Sequence, residues 1–574
     1  MPMWIRRYLL GAALLCIGLA LSGCLLFGSG VVDRSGNAIG SLYVLESTGG
    51  LRLEIVPEPG STVYLGYPGS GDYVPMPFTR VSVAGTGIDA DTDTNGVFRL
   101  YGVPSGGREL IVHGDYGQEI ARFPFHQSPS TTVVLGTLPT EKDWTIMVYM
   151  MADNNLDQAM INDIHEMEQV GSSDRVNVVA YADAYGFWDQ LYPHSDDPPA
   201  YRGAKILEIR DVSVHGFSPV VSYPRDGEDQ FQVTMDTEAL RGFVEFSKLR
   251  YPAHRYALII WNHGDGITIH NPGSLLTEPP GSTLAIGPDM NSGSGEFWLE
   301  VPNIRYALAG LDLDVVAFDA CLMGGIEVFY ELAGVADVVV GSAEVVPLRG
   351  NDYTALLQGL VSNPSIGAMG LALEMLHSYA GYYSPMDAAQ LGVELSLTAV
   401  ESSGVSQLVS LLADLISTLL NHMDDVVYGG MVEAAVEDSL AIAHRYADII
   451  GYHAYWFRDL EDFCWGLRAS SLSTLPLHIR EMIVARVDSV LEYLQYMESH
   501  GRLAVATIPS GVRSDPSVRL EIWPSFSSRI SLFAQPGWLW DTIGPAYGSN
   551  YGYSAFAERS RWDQVLERLG PGTR

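Results

Sequence analysis

A histidine and a cysteine, each closing an apolar run, are the side chains of this sequence best placed for chemistry. His263 ends Ala257-Leu-Ile-Ile-Trp-Asn-His263 and is followed by Gly264; Cys321 ends Asp314-Val-Val-Ala-Phe-Asp319-Ala-Cys321. An ionised thiol attacks a carbonyl carbon, and an imidazole that titrates near neutrality can take up the thiol proton and pass it to a leaving group. Alone, a strand-end cysteine is most often a small buried hydrophobe, and a single histidine is most often structural. Their pairing changes that reading. Four to eight apolar residues bounded by polar residues or glycine read as a strand buried on both faces. Open parallel sheets carry their ligands just beyond the carboxyl ends of such strands. Two runs of this kind put one imidazole and one thiol on the same rim.

The elements that must position this rim form an alternation. Trp144–Met150 and Arg175–Tyr181 read as the first two strands, with the polar Ala152-Asp-Asn-Asn-Leu-Asp157 after the first. Residues 186–232, rich in Pro, Asp and Tyr, read as an inserted loop or β-ribbon. Asp236 can cap a helix whose Leu240, Phe243 and Val244 share one face and which Pro252 ends. The runs to His263 and Cys321 are the third and fourth strands. Between them lies a Gly- and Pro-rich segment, 269–295, long enough to be a substrate-side loop. A helix over 325–332 and a strand over 338–342 continue the pattern of a mostly parallel sheet. Beyond residue 390, Leu408, Leu411, Leu412, Leu415, Ile416 and Leu419 follow the spacing of an amphipathic helix. Further helices are expected over 431–446 and 479–498, and Val518–Trp523 reads as a strand.

Asp and Glu number 68 against 33 Lys and Arg, a formal net charge of −35. With no basic surface to release phosphate counterions, nucleic acid is not an expected partner. The acidity suits an extracytoplasmic protein and would steer cationic substrates toward it. Only four cysteines occur, Cys16, Cys24, Cys321 and Cys464. Arg6-Arg7 followed by the apolar Tyr8–Leu21, short for a membrane span, reads as a signal peptide over residues 1–23. Leu21-Ser22-Gly23-Cys24 resembles a bacterial lipobox, which implies cleavage before Cys24 and diacylglyceryl attachment to its sulfur. Cys321 and Cys464 then remain as the mature thiols, too few for a disulfide scaffold. No other stretch is expected to reach the length of a membrane span.

Residues 24–30 make a short tether. Residues 31–138 are rich in Val, Thr, Gly and Pro with alternating runs such as Arg80-Val-Ser-Val-Ala, and read as an all-β sandwich. Within it, Asp91-Thr-Asp93-Thr-Asn95-Gly96-Val-Phe resembles a carboxypeptidase regulatory-like repeat, implying an accessory module without catalytic residues. Asp89, Asp91, Asp93 and Asn95 are weak calcium candidates on the first half of an EF-hand pattern. Gly102 stands where the bidentate Glu is required, and Asn95-Gly96 is itself a hairpin-turn signal. Residues 139–142 form a linker.

The motifs of the remaining chain resemble the clostripain family of cysteine peptidases, in family order. They are Trp144-Thr-Ile-Met-Val-Tyr-Met-Met-Ala-Asp153-Asn-Asn-Leu-Asp157, Trp261-Asn-His263-Gly264 and Phe318-Asp319-Ala-Cys321-Leu-Met323. Weaker matches are Arg458-Asp-Leu-Glu-Asp-Phe463 and the Phe556, Trp562, Leu566 ending. The resemblance implies a caspase-like, mostly parallel α/β sheet flanked by helices over 143–390, and a largely helical extension with strands over 391–574. It further implies that Cys321 is the nucleophile, that His263 is the general acid/base, and that the backbone N–H groups of Gly264 and Cys321 form the oxyanion hole. Asp319 looks like the base of the pocket for the residue before the cut, with Asp352 a weaker second carboxylate. A buried carboxylate is costly unless paired, so such a pocket selects a guanidinium or ammonium group. Gly264 would let the scissile carbonyl approach the backbone.

The expectation is therefore a lipid-anchored enzyme of the bacterial cell envelope that cleaves protein or peptide substrates after Arg, with Lys second. It requires no cofactor, calcium at most, and meets the membrane through the Cys24 lipid. The rival is a non-catalytic surface lipoprotein that binds basic peptides; peptide-bond formation or sorting by the same thioester chemistry is a third use. If the lipobox works, Cys24→Ala moves the protein from the membrane to the soluble fraction on ultracentrifugation, and continued sedimentation with membranes refutes lipidation.

Overall fold

A computed structural model describes residues 142–184, 204–215, 236–266, 285–289, 297–446, 457–509, 529–534 and 554–569, with a few shorter stretches and the strands between 35 and 134. Cys24, the tether, Asp93, Asn95, Val518–Trp523 and most of 186–232 and 269–295 lie outside the described residues.

One nine-stranded sheet carries the site. Its strands are β1 (Lys142–Ala152), β2 (Val176–Ala184), β3 (Lys205–Glu208), β4 (Val220–Ser222), β5 (Ala253–Trp261), β6 (Leu313–Asp319), β7 (Ala336–Gly341), β8 (Leu395–Glu401) and β9 (Leu503–Ile508). Their order is β4-β3-β2-β1-β5-β6-β7-β8-β9, and β2, β1, β5, β6 and β7 run parallel. The β3–β4 ribbon and the β8–β9 pair add antiparallel edges. In the central strands, Trp144–Ala152, Ala257–Trp261 and Val315–Asp319 are buried, as runs covered by helices on both faces must be. Helices Asp157–Glu168, Thr237–Arg250, Val301–Leu308 and Ile326–Leu332 return the chain between parallel strands. Asp236 caps the second of these, accepting from the Ala239 N–H at 2.9 Å, and Leu240, Phe243 and Val244 are buried. The chain leaves β1 to one side for β2 and returns to the other side at β5. The carboxyl ends of β1 and β5 therefore flank a switch point, where open α/β sheets bind ligands.

The segment expected as a substrate-side loop is partly ordered as strand. Ala285–Asp289 pairs antiparallel with Phe297–Glu300, and Ile286 bridges to Gly264. The C-terminal part completes the sheet rather than standing apart. Its β8 pairs with β7, and helix Leu477–Ser499 packs on helix Ser402–Met423. The final helices, Ala555–Ser560 and Trp562–Arg568, return to the core. The Ala555 N–H donates to Glu331 Oε1 at 2.6 Å, Arg305 pairs with Glu331 at 3.0 Å, and Trp562 stacks edge-on to Phe463.

One expectation needs correction. Helix Ser402–Met423, 22 residues, is long and apolar enough to cross a bilayer. Its apolar stripe of Leu408, Leu412, Leu415, Ile416 and Leu419 is instead buried against protein, so the composition reflects a core helix with a wide buried face.

In the N-terminal part, Ser35–Leu45 pairs with Leu51–Glu54, Tyr73–Pro75, Val97–Pro104 and Thr132–Val134. Ile88–Asp91, Arg80–Val83, Gly106–His113 and Glu119–Gln127 make a second sheet. Val81 and Val83 on one strand and Leu110 and Val112 on its partner are buried at alternate positions, the two-residue period of a half-buried strand. Asp89 and Asp91 are exposed, and Asp89 Oδ2 accepts from Arg80 Nε at 2.9 Å. Among the described residues no cluster of three or more metal-ligating side chains occurs.

Because Leu415 is fully buried, Leu415→Ala should cost about 2–5 kcal/mol through lost burial and the cavity left behind. A fall in the urea midpoint checks it; an unchanged midpoint would mean that this face of the helix is not packed in solution.

Candidate active site

The register of β5 and β6 aligns the two reactive ends. Trp261 pairs with Asp319, and the Asn262 N–H donates to the Asp319 carbonyl at 3.4 Å. Two residues further on each chain stand His263 and Cys321. Between them Gly264 lies flat on the cysteine turn: a Cβ there would sit 2.2 Å from the Cys321 carbonyl oxygen and 3.1 Å from its nitrogen. Glycine is required at this position for backbone packing on Cys321, a different reason from the substrate approach that the sequence suggested.

His263 is half-buried, and its ring is held by a residue from the loop after β1. Nε2 lies 2.9 Å from Asn155 Oδ1. The neighbouring amides form a brace: Asn262 Oδ1 accepts from the His263 N–H at 2.6 Å and from Asn154 Nδ2 at 2.9 Å, and Asn154 Oδ1 accepts from the Leu156 N–H at 2.8 Å. Burial lowers the His263 pKa, opposed by the charge of Asp265, so the ring is neutral at neutral pH, as a base must be. Asn155 stood within a quoted motif but had no assigned role. A single asparagine in a polar loop carries no pattern that singles it out.

Cys321 is a free, half-buried thiol. Its Sγ accepts from the Val346 N–H at 3.3 Å and lies 3.8 Å from the Val346 carbonyl. Burial raises its pKa to about 11; the Val346 N–H opposes this, and the charges of Glu344, Asp319 and Asp265 add to it. Among the described residues no hydrogen bond joins the thiol to His263; each is paired elsewhere. The next residue, Leu322, holds the left-handed conformation at φ +61°, costly for a branched side chain, and its N–H donates to the Glu344 carbonyl at 3.2 Å. The turn that presents Cys321 is thus pinned to the segment after β7.

Asp319 is buried. Its Oδ2 accepts from the Asn351 N–H and from the Tyr353 hydroxyl, both at 3.0 Å. Gly350, at φ +58°, leaves room for it: a Cβ there would come within 2.7 Å of the same oxygen. Burial raises the Asp319 pKa to about 6 against these hydrogen bonds. Behind it Asp163 Oδ2 accepts from Trp261 Nε1 at 2.7 Å; burial and the charge of Asp319 hold its carboxyl well above the ordinary carboxylate range. Glu166 completes the acidic group, accepting from the Tyr382 hydroxyl at 2.8 Å and the Tyr353 N–H at 3.1 Å. Asp352 has a structural task, capping helix Tyr353–Ser362 through the Ala355 N–H at 2.8 Å. The sequence reading did not pick out Asp163 or Glu166, whose only signal is a shared face of one helix.

A sequence description of the clostripain family matches residues 148–568, most of the chain and all of the rim just described. The chain belongs to the clostripain family. Clostripain from Hathewaya histolytica is 29% identical over 223 residues, an alignment that takes in 35% of this chain and 39% of that protein, less than half of its length. Two solved structures also align. One is a secreted C11 cysteine protease from Bacteroides thetaiotaomicron in complex with an irreversible peptide inhibitor (18% identity, 73% of this chain and 99% of that one, TM-score 0.46). The other is an inactive zymogen C11 protease from Parabacteroides distasonis (16% identity, 74% and 99%, TM-score 0.48).

With its thiol pKa raised to about 11, resting Cys321 should react slowly with iodoacetamide at neutral pH. Its rate should climb about tenfold per pH unit through the alkaline range, because the thiolate is the reactive form. Mass spectrometry of the Cys321 peptide checks this. A plateau at or below pH 8 contradicts it.

Proposed function

We propose that this chain is an extracytoplasmic, lipid-anchored cysteine endopeptidase that cuts after arginine, with lysine second. The observation that supports the reading is the backbone contact of Gly264 with Cys321, which brings His263 and Cys321 to neighbouring positions just beyond the ends of adjacent parallel strands. In the reaction the Cys321 sulfur leaves Val346, gives its proton to the neutral His263 ring and attacks the scissile carbonyl carbon. The oxyanion is accepted by the N–H groups of Gly264 and Cys321, fixed donors whose positions are set before reaction. His263 then hands its proton to the departing amine, leaving a thioester, and takes a proton from the water that hydrolyses it. No metal enters this cycle. The substrate's basic side chain pairs with Asp319, and the charge of neighbouring Glu166 adds to the negative potential there. Lipid anchoring rests on Leu21–Cys24 and the acidic composition. The β-strands of 31–138 serve as a spacer between membrane and catalytic part.

A second reading, a non-catalytic receptor for basic peptides, is favoured by the thiol and imidazole being paired to other groups. One experiment separates the two. Fluorogenic peptides carrying Arg, Lys, Asp or Leu before the cut are offered to the wild type, Cys321→Ala and Asp319→Asn. Turnover of the Arg peptide should be abolished in Cys321→Ala, and kcat/KM should fall by at least tenfold in Asp319→Asn, the loss expected for one charge-assisted hydrogen bond. Turnover after Asp or Leu would discard the pocket. No turnover of any peptide, with binding of the Arg peptide intact, would favour the receptor.

A further inference from the structure

The thiol and the pocket carboxylate, contributed by one turn, are both held by a second short segment. Val346 takes Sγ of Cys321, with N–H to sulfur at 3.3 Å and sulfur to carbonyl at 3.8 Å. Five and seven residues later, the Asn351 N–H and the Tyr353 hydroxyl occupy Oδ2 of Asp319, both at 3.0 Å. Between them Gly350 is pressed against the carboxylate, and its carbonyl accepts from the Tyr383 hydroxyl at 2.6 Å. Arg349 is fixed outside, paired with Asp387 at 3.0 Å and lying over the Tyr382 and Tyr383 rings. The segment is thus anchored along its length.

We propose that Tyr353 is a specificity-determining residue of this site: its hydroxyl stands where the substrate's cation must bind Asp319, and displacing it shifts the segment that holds the thiol through Val346. The inference rests on the assignment of Asp319 as the pocket base. Two donors already hold Oδ2 and the Asn351 side chain holds the carboxylate as well, so a guanidinium that engages both oxygens must compete with them. A cation can do so because its hydrogen bond to a carboxylate is stronger than that of a neutral hydroxyl or amide. A neutral side chain cannot, and leaves the thiol paired with Val346 rather than with His263. A basic residue before the cut therefore acts on kcat as well as KM. Its binding energy is spent on releasing the nucleophile, the general way in which remote contacts raise rate.

The test uses the full-length protein with benzamidine as a planar cationic probe and iodoacetamide as the thiol reagent, read at the Cys321 peptide by mass spectrometry. Cys464 is fully buried and serves as an internal control. At neutral pH, saturating benzamidine should accelerate alkylation of Cys321 about tenfold, the factor for one hydrogen bond to a charged acceptor. Tyr353→Phe should alkylate faster without benzamidine and respond less to it. In peptide hydrolysis the variant should narrow the kcat gap between Arg and neutral substrates. If benzamidine competes with the Arg peptide yet leaves wild-type alkylation unchanged or slower, the coupling is refuted while the pocket stands. If benzamidine fails to compete at all, the Asp319 assignment falls and takes this inference with it. The wild-type measurements need no variant to fold.

Discussion

The parallel pairing of β5 with β6 is the constraint on which the rest depends. Its register sets Trp261 beside Asp319, and everything that follows on each chain is counted from that pair. A slip of one residue would turn every side chain of a strand to its opposite face and separate histidine from cysteine. The pairing is secured by what the strands are made of. Ala257–Trp261 and Val315–Asp319 are buried on both faces, so any other register would leave apolar area exposed along several turns of neighbouring helix. Precision at the rim is inherited from hydrophobic burial beneath it.

Against that apolar base the rim concentrates acid. Asp163, Asp319 and Glu166 lie together, and isolated carboxylates in such surroundings would be prohibitively costly. Neutral donors carry most of the compensation: Trp261 Nε1, the Asn351 N–H, and the Tyr353 and Tyr382 hydroxyls. Desolvation and the charge of Asp319 hold the Asp163 carboxyl well above the ordinary carboxylate range, and burial raises Asp319 to about 6 against its hydrogen bonds.

The sequence reveals the residues that end strands and hides those that meet them. His263, Cys321 and Asp319 announce themselves because an apolar run stops at each. Asn155 and Asp163 come from a polar loop and a helix face, where period and composition do not distinguish a partner from a solvated residue. Val346 acts through its backbone, and a main-chain donor leaves no trace in residue type. Gly264 was visible, but the reason for it was not: only the fold shows that Cys321's own backbone fills the space. Likewise the stripe of leucines in Ser402–Met423 was legible as a helix, whereas the return of β8 and β9 into the same sheet was not. Pairing between distant strands depends on tertiary contacts that local propensity does not encode.

The last two helices have a temporal meaning. Ala555 donates to Glu331, on the helix that directly follows the Cys321 turn, and Arg305 reaches the same carboxylate. That buried acid receives its backbone donor only after more than two hundred further residues have been made. A chain synthesised from its N-terminus therefore cannot finish the support behind its thiol until residue 555 has been added. Loop closure on this scale is entropically slow and late. Assembly order thus puts completion of the Glu331 environment after every strand of the nine-stranded sheet, the last of which ends at Ile508.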